Sequence, residues 1–328
     1  MVVGGDGDPH KRGVVSTASY EARAFGIHSA MPLRTAYKRC PDAVFLPVDF
    51  AAYREASQRM YAILRGTGAL VEPMGLDEAF LDASALAEPG EAIAREIKAH
   101  IAASLHLTAS VGVGPNRLVA KIASALDKPD GLTVIASEEI EHRLAPLPAT
   151  VLWGVGPKTA AALATRFTVR TVGELAAVSL AALQDAFGPN HGEHLHRVAR
   201  GIDESPIETE WEPKSLSRER TFQVDLRRVE VIRAMVTRLA DEVANDLLQE
   251  GYRAATVTLK VRFATFRTVT RSRTLTAPID AADVMIQTAL QLLDRVTIDR
   301  PVRLLGVRAA KLAPRDNEPS QPTLGVSA

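Results

Sequence analysis

Two adjacent carboxylates, Asp77 and Glu78, stand in the apolar stretch Gly75-Leu76-Asp77-Glu78-Ala79-Phe80-Leu81-Asp82. Neighbouring residues of a strand point to opposite faces, so both can reach one ion only where the strand turns or bulges, and Gly75 allows such a bend. Oxygen donors with no Cys or His beside them suit Mg²⁺. Phosphoryl transfer between paired ions, held about 3.5–4 Å apart, needs several such carboxylates. An Asp-Glu pair is equally at home in a solvated turn, so the spacing by itself does not choose.

Two further patterns suit phosphate. In Val151-Leu152-Trp153-Gly154-Val155-Gly156-Pro157-Lys158-Thr159, Gly154 and Gly156 permit a tight turn, and Pro157 suits the first turn of a helix. The free N–H groups at that helix start, with Lys158, can grip a phosphate in the manner of a helix-hairpin-helix; a plain helix–helix turn is the alternative. From Gly251 to Ile279 there are six basic residues and no acid: Arg253, Lys260, Arg262, Arg267, Arg271 and Arg273. Strand alternation over 255–264 sends Val257, Leu259, Val261 and Phe263 inward and Thr256, Thr258, Lys260 and Arg262 outward. Arg267, Arg271 and Arg273 are expected to continue that basic face on the next strand, a surface suited to a nucleic-acid backbone. His191, His194 and His196 cluster, but only the first two share a helix face, and solvated helix positions explain them better than a metal site.

The elements that must position these groups follow from periodicity. Residues 1–136 alternate strands and helices. Residues 137–205 are helical and broken by Pro146, Pro148, Gly154, Gly156, Gly173 and Gly188. A Glu- and Pro-bearing linker covers 206–213. Residues 214–312 read as βαββαβ, a four-stranded antiparallel sheet with two helices on one face, and 313–328 as a flexible tail.

A chain of 328 residues with 46% apolar and 24% charged residues suits a multidomain globular protein. No apolar run approaches the ~20 residues of a membrane span, and the start shows no secretory pattern. The single cysteine, Cys40, fits a cytoplasmic location. Net charge is zero, but residues 211–328 hold 19 basic and 14 acidic side chains, a net of +5, leaving −5 on the first 210. That asymmetry allows an acidic ion site in one part and a polyanion surface in the other.

Taken together, several blocks resemble the Y-family (translesion) DNA polymerases, particularly the bacterial DNA polymerase IV group. Ser16-Thr17-Ala18-Ser19-Tyr20-Glu21-Ala22-Arg23-Ala24-Phe25-Gly26-Ile27, with Ser29-Ala30-Met31-Pro32, resembles the fingers motif. Leu76 to Asp82 resembles the palm carboxylate motif, with Gly75 where a serine is expected. Ser110 to Ser124 and Lys128-Pro129-Asp130-Gly131 resemble further palm blocks. The thumb hairpin, Ala199-Arg200-Gly201-Ile202-Asp203, and Lys214 to Phe222 complete the order.

The resemblance implies a right-hand α/β multidomain fold: fingers at 1–48, palm at 49–136, an all-α thumb at 137–205 and a little finger at 214–312. It implies that Asp77 and Glu78 ligate Mg²⁺, two ions in the complete site, with Glu78 at the ion that activates the primer 3′-hydroxyl. It assigns Tyr20, Arg23 and Lys128 to the phosphates of the incoming deoxynucleoside triphosphate. Primer–template DNA is the implied partner of a monomer. The motif Gln321-Pro322-Thr323-Leu324-Gly325-Val326 resembles a sliding-clamp peptide, anchored by Gln321, Leu324 and Val326. The family also carries a strand bearing Asp-x-Asp and a steric-gate aromatic, which has no counterpart here: Asp6 and Asp8 lie in a Gly-rich loop. Two expectations follow. One is a low-fidelity translesion polymerase whose activity is impaired in this polypeptide. The other is a non-catalytic DNA- and clamp-binding remnant.

Overall fold

The computed structural model describes residues 1–315. It begins with a small three-stranded sheet: β1 (Val2–Gly4) pairs antiparallel with β2 (Val15–Ala18) and parallel with β3 (Phe45–Leu46). Helices α1 (Tyr20–Ala24) and α2 (Leu33–Arg39) lie between them in sequence, and Val2, Val15, Ala22, Ile27 and Leu33 form their core.

The next segment starts with α3 (Phe50–Gly66), capped by Asp49, whose carboxylate accepts from Ala51 and Ala52 N–H at 3.1 and 3.0 Å. The antiparallel hairpin β4 (Leu70–Pro73) and β5 (Ala79–Asp82) follows, then α4 (Gly90–Leu105), β6 (Val111–Val113), α5 (Arg117–Leu126) and β7 (Leu132–Val134). β6 and β7 pair in parallel, in a sheet separate from β4–β5. Asn116 caps α5 through the Val119 N–H at 2.9 Å. Gly112 lets β6 lie directly on α5, because a Cβ there would fall inside the helix backbone.

Short helices come next: α6 (Ile140–Leu144), α7 (Pro157–Phe167), α8 (Val172–Ala176), α9 (Leu180–Phe187) and α10 (Pro189–Val198). Pro157 and Pro189 occupy first turns, and Thr171 and Glu174 form a capping box. Leu118, Val119 and Ile122 of α5 share one core with Leu163, Leu175, Leu183 and Leu195 of this helical stretch.

The last segment has the expected βαββαβ order: β8 (Ser215–Leu226), α11 (Val229–Gln249), β9 (Tyr252–Phe263), β10 (Thr268–Ile279), α12 (Ala282–Leu293) and β11 (Val302–Pro314). The strand order is β10-β9-β11-β8, antiparallel throughout. Val257, Leu259, Val261 and Phe263 are fully buried with Val236, Val243, Met285 and Leu292 of the two helices, as the alternation predicts. By contact the chain forms two compact units, Met1–Val48 with Glu212 onward, and Asp49–Trp211. No helix of the described residues is long and apolar enough to cross a membrane.

Candidate functional site

Asp77 and Glu78 sit in the turn that joins β4 to β5, so the backbone does bend where the two carboxylates need it to. The bend does not depend on Gly75, around which a Cβ would meet nothing within 4 Å. The turn is closed by Met74 N–H donating to the Glu78 carbonyl at 2.9 Å. It is also tied to α3: the Tyr61 hydroxyl lies 2.7 Å from the carbonyls of both Gly75 and Glu78. Burial pushes the Tyr61 phenol up, which keeps it a neutral donor. Lys121 of α5 meets the Glu78 carboxylate at 2.6 Å. Helix α5 then leads through Leu126 to Lys128, which is exposed.

The side chains of Asp77 and Glu78 carry hard oxygen donors of the kind that divalent ions take. No group of three or more His, Cys, Asp or Glu side chains converges on an ion position among the described residues. A two-ion site needs more carboxylates than these two. Tyr61 and Lys121 escaped the sequence reading because their roles depend on two helices that the chain supplies before and after the turn.

A buried ion pair lies behind the hairpin. Glu72 of β4 is 8% exposed and accepts from Arg117 Nη2 at 2.7 Å. The guanidinium covers the Phe80 ring at 4.8 Å and the Trp153 ring at 6.0 Å. Its Nε is the one buried side-chain nitrogen or oxygen without a partner among the described residues. The pair also holds the segment that follows the helical stretch: Arg117 donates to the Pro206 carbonyl, and the Glu208 N–H to Glu72, both at 3.1 Å.

Gly154 adopts φ +86°, and Gly156 precedes α7, so the glycine hairpin has the expected form with Lys158 exposed beside the free N–H groups. His194 Nε2 donates to the Trp153 carbonyl at 2.9 Å, and a Cβ on Gly154 would stand 2.9 Å from that nitrogen. His194 thus braces the turn, with the His191 ring stacked 6.1 Å away.

In the other unit, α1 brings Tyr20 and Arg23 together: the guanidinium lies 5.0 Å from the phenol centroid, and Arg23 Nε donates to the Ala18 carbonyl at 2.9 Å.

The C-terminal sheet corrects one expectation. Directly paired residues of antiparallel strands share a face. Lys260 pairs with Thr270 and Arg262 with Thr268, but Arg271 pairs with Leu259 and Arg273 with Val257. Arg271 and Arg273 therefore extend from the helix side of edge strand β10, where Arg273 reaches Gln291 of α12 at 2.5 Å. Arg267 sits at the hairpin end, over Phe263 and paired with Asp299 at 2.7 Å. The open face consists instead of Thr and Ser ladders with Lys260, Arg262 and Arg308. Thr256 meets Thr274 at 3.0 Å and Thr258 meets Ser272 at 2.8 Å. Arg308 pairs with Thr258 on one side and Ser217 on the other. Its place between the inward Val307 and Ala309 was the sequence signal for it.

The clamp-like motif at Gln321, Leu324 and Val326 lies outside the described residues.

Comparison with known proteins agrees across the chain. Residues 1–125 match the impB/mucB/samB family, 213–324 the C-terminal domain of that family, and 150–203 the DNA polymerase-iota thumb domain. The DNA polymerase IV of Alkalilimnicola ehrlichii is 46% identical over 316 residues, which is 95% of this chain and 88% of that protein. The DNA polymerase IV of Desulfatibacillum aliphaticivorans is 42% identical over 95% of this chain and 78% of its own. A solved Y-family DNA polymerase chimera of Dbh and Dpo4 superposes with a TM-score of 0.85 at 25% identity, covering 96% of this chain and 92% of that one.

Proposed function

The chain belongs to the impB/mucB/samB family, the Y-family DNA polymerases, and from that membership we propose that it is built for low-fidelity, template-directed DNA synthesis across damaged templates. The family is one of DNA-directed DNA polymerases, with an α/β palm, an all-α thumb and a βαββαβ little finger. The observation that carries the reading is the Asp77–Glu78 turn, braced from α3 by Tyr61 and from α5 by Lys121.

Asp77 and Glu78 would hold Mg²⁺, which when bound supplies positive charge to phosphoryl oxygens and activates the primer 3′-hydroxyl. Lys121 occupies the Glu78 carboxylate and keeps it oriented. Tyr20, Arg23 and Lys128 are the proposed holders of the triphosphate, their donors matched to the charge that builds on its oxygens. Gly154, Gly156 and Lys158 would grip the DNA backbone, as would the sheet through Lys260 and Arg262, with Arg267, Arg271 and Arg273 at its edge. A sliding clamp, cytoplasmic location and action as a monomer in DNA repair complete the reading.

A non-catalytic DNA-binding role is the second reading, favoured by the absence of a third ion ligand among the described residues. Both readings expect impaired synthesis from two ion ligands, and primer extension tests that together with DNA binding. A polypeptide of residues 1–328, with Mg²⁺ or Mn²⁺ and all four deoxynucleotides, is expected to bind primer–template DNA yet extend it no further than its Asp77→Ala variant. Extension that the variant abolishes would show that two carboxylates suffice. Loss of DNA binding would overturn both readings.

A further inference from the structure

Across the C-terminal sheet, Gly306 of β11 pairs with Glu219 of β8 on one side and with Lys260 of β9 on the other. At about 4.8 Å between strands, the outer two Cα atoms stand roughly 10 Å apart, so their side chains meet only by leaning over the middle strand. Gly306 leaves that space open: a Cβ on it would lie 2.7 Å from Glu219 Cγ. Both carboxylate oxygens then reach Lys260 Nζ, at 2.8 and 2.9 Å.

Glu219 is the single acid among the open-face positions that the register pairs; the rest are Thr, Ser, small or apolar residues and the cations Lys260, Arg262 and Arg308. The pair stays reachable from solvent, with 29% of the Lys260 and 41% of the Glu219 side chain exposed. Exposed pairs of this kind add little to stability, so stability alone does not account for an acid at the centre of a basic face. A carboxylate there has the charge and oxygen geometry of one phosphate group.

We propose that Glu219 is an internal competitor for the DNA backbone, occupying Lys260 until a phosphate displaces it and so limiting how tightly the little finger holds the duplex. The proposal rests on the reading that this open face binds DNA. While Glu219 is present, a phosphate that takes Lys260 must first displace the carboxylate, and the freed carboxylate then repels it. A polymerase that must slide and release gains from such weakening.

The test titrates a fluorescent primer–template duplex with the 328-residue chain over a salt series. Glu219→Gln should bind roughly five- to tenfold tighter near 0.1 M salt, with the log–log salt slope steeper by about 0.9, the increment of one phosphate contact. In a Lys260→Ala background the same change should add little. Unchanged or weaker binding by Glu219→Gln, or an equal gain without Lys260, would overturn the proposal. The underlying reading is checked separately by Arg262→Ala with Arg308→Ala. If that variant binds as well as the parent, the face is not the DNA surface. If it binds worse while Glu219→Gln gains nothing, the competitor role alone is wrong.

Discussion

Replacing Glu72 by alanine is expected to destabilise the unit of residues 49–211 by about 3–5 kcal/mol, the cost of leaving one member of a buried ion pair uncompensated. Arg117 then loses its carboxylate in a site where 15% of its side chain is exposed and its Nε already lacks a partner. The aromatic rings of Phe80 and Trp153 offset part of that cost by facing the guanidinium, but they cannot replace a carboxylate. Thermal unfolding followed by circular dichroism should show a fall on the order of 10 °C for a unit of this size. Exchanging both partners for apolar residues, Glu72→Leu with Arg117→Met, should cost far less, because no unpaired charge remains. The same variants should expose residues 206–208 to protease, since Glu72 and Arg117 hold that backbone at two points. A Glu72→Ala protein that melts within a degree or two of the parent would show that the pair carries little stability.

Removing three cations from the open sheet face should weaken DNA binding on the order of a hundredfold. Each phosphate contact contributes about 0.9 to the log–log salt slope, so the triple change Lys260→Ala, Arg262→Ala and Arg308→Ala should flatten it by roughly 1.8, the share of the two arginines, because Glu219 already offsets Lys260. The side chains stand on the side away from α11 and α12, so the core of Val257, Leu259, Val261 and Phe263 stays intact and the fold should persist. Changing Arg271 and Arg273 to alanine removes almost as much charge but from the helix side of the edge strand. That variant should lose markedly less affinity. Equal losses from the two sets would mean that net charge, and not the open face, governs binding.

The two predictions differ in how far they could be read from the chain. Lys260 and Arg262 were legible because strand alternation is local: every second residue of 257–263 is apolar, and each of those is buried. The Asp77–Glu78 turn, the Gly154–Gly156 hairpin and the βαββαβ order were legible for the same reason, each resting on contiguous residues. The placement of Arg271 and Arg273 was not. Alternation shows that they share a face with each other but not which face, and that depends on how β10 registers against β9. The Glu72–Arg117 pair joins residues 45 apart in sequence, and neither lies in a pattern that announces a charge in the core.

Residue type and short-range period set the element order, the inward faces of the long strands and helices, and the motif blocks that mark the family. Tertiary structure alone decided that Tyr61 and Lys121 brace the carboxylate turn, that Glu219 lies over Gly306 on Lys260, and that Arg117 is buried against Glu72. Those contacts join separate elements, and which side chains meet across them is set by strand register and helix packing, which no single stretch of the chain encodes.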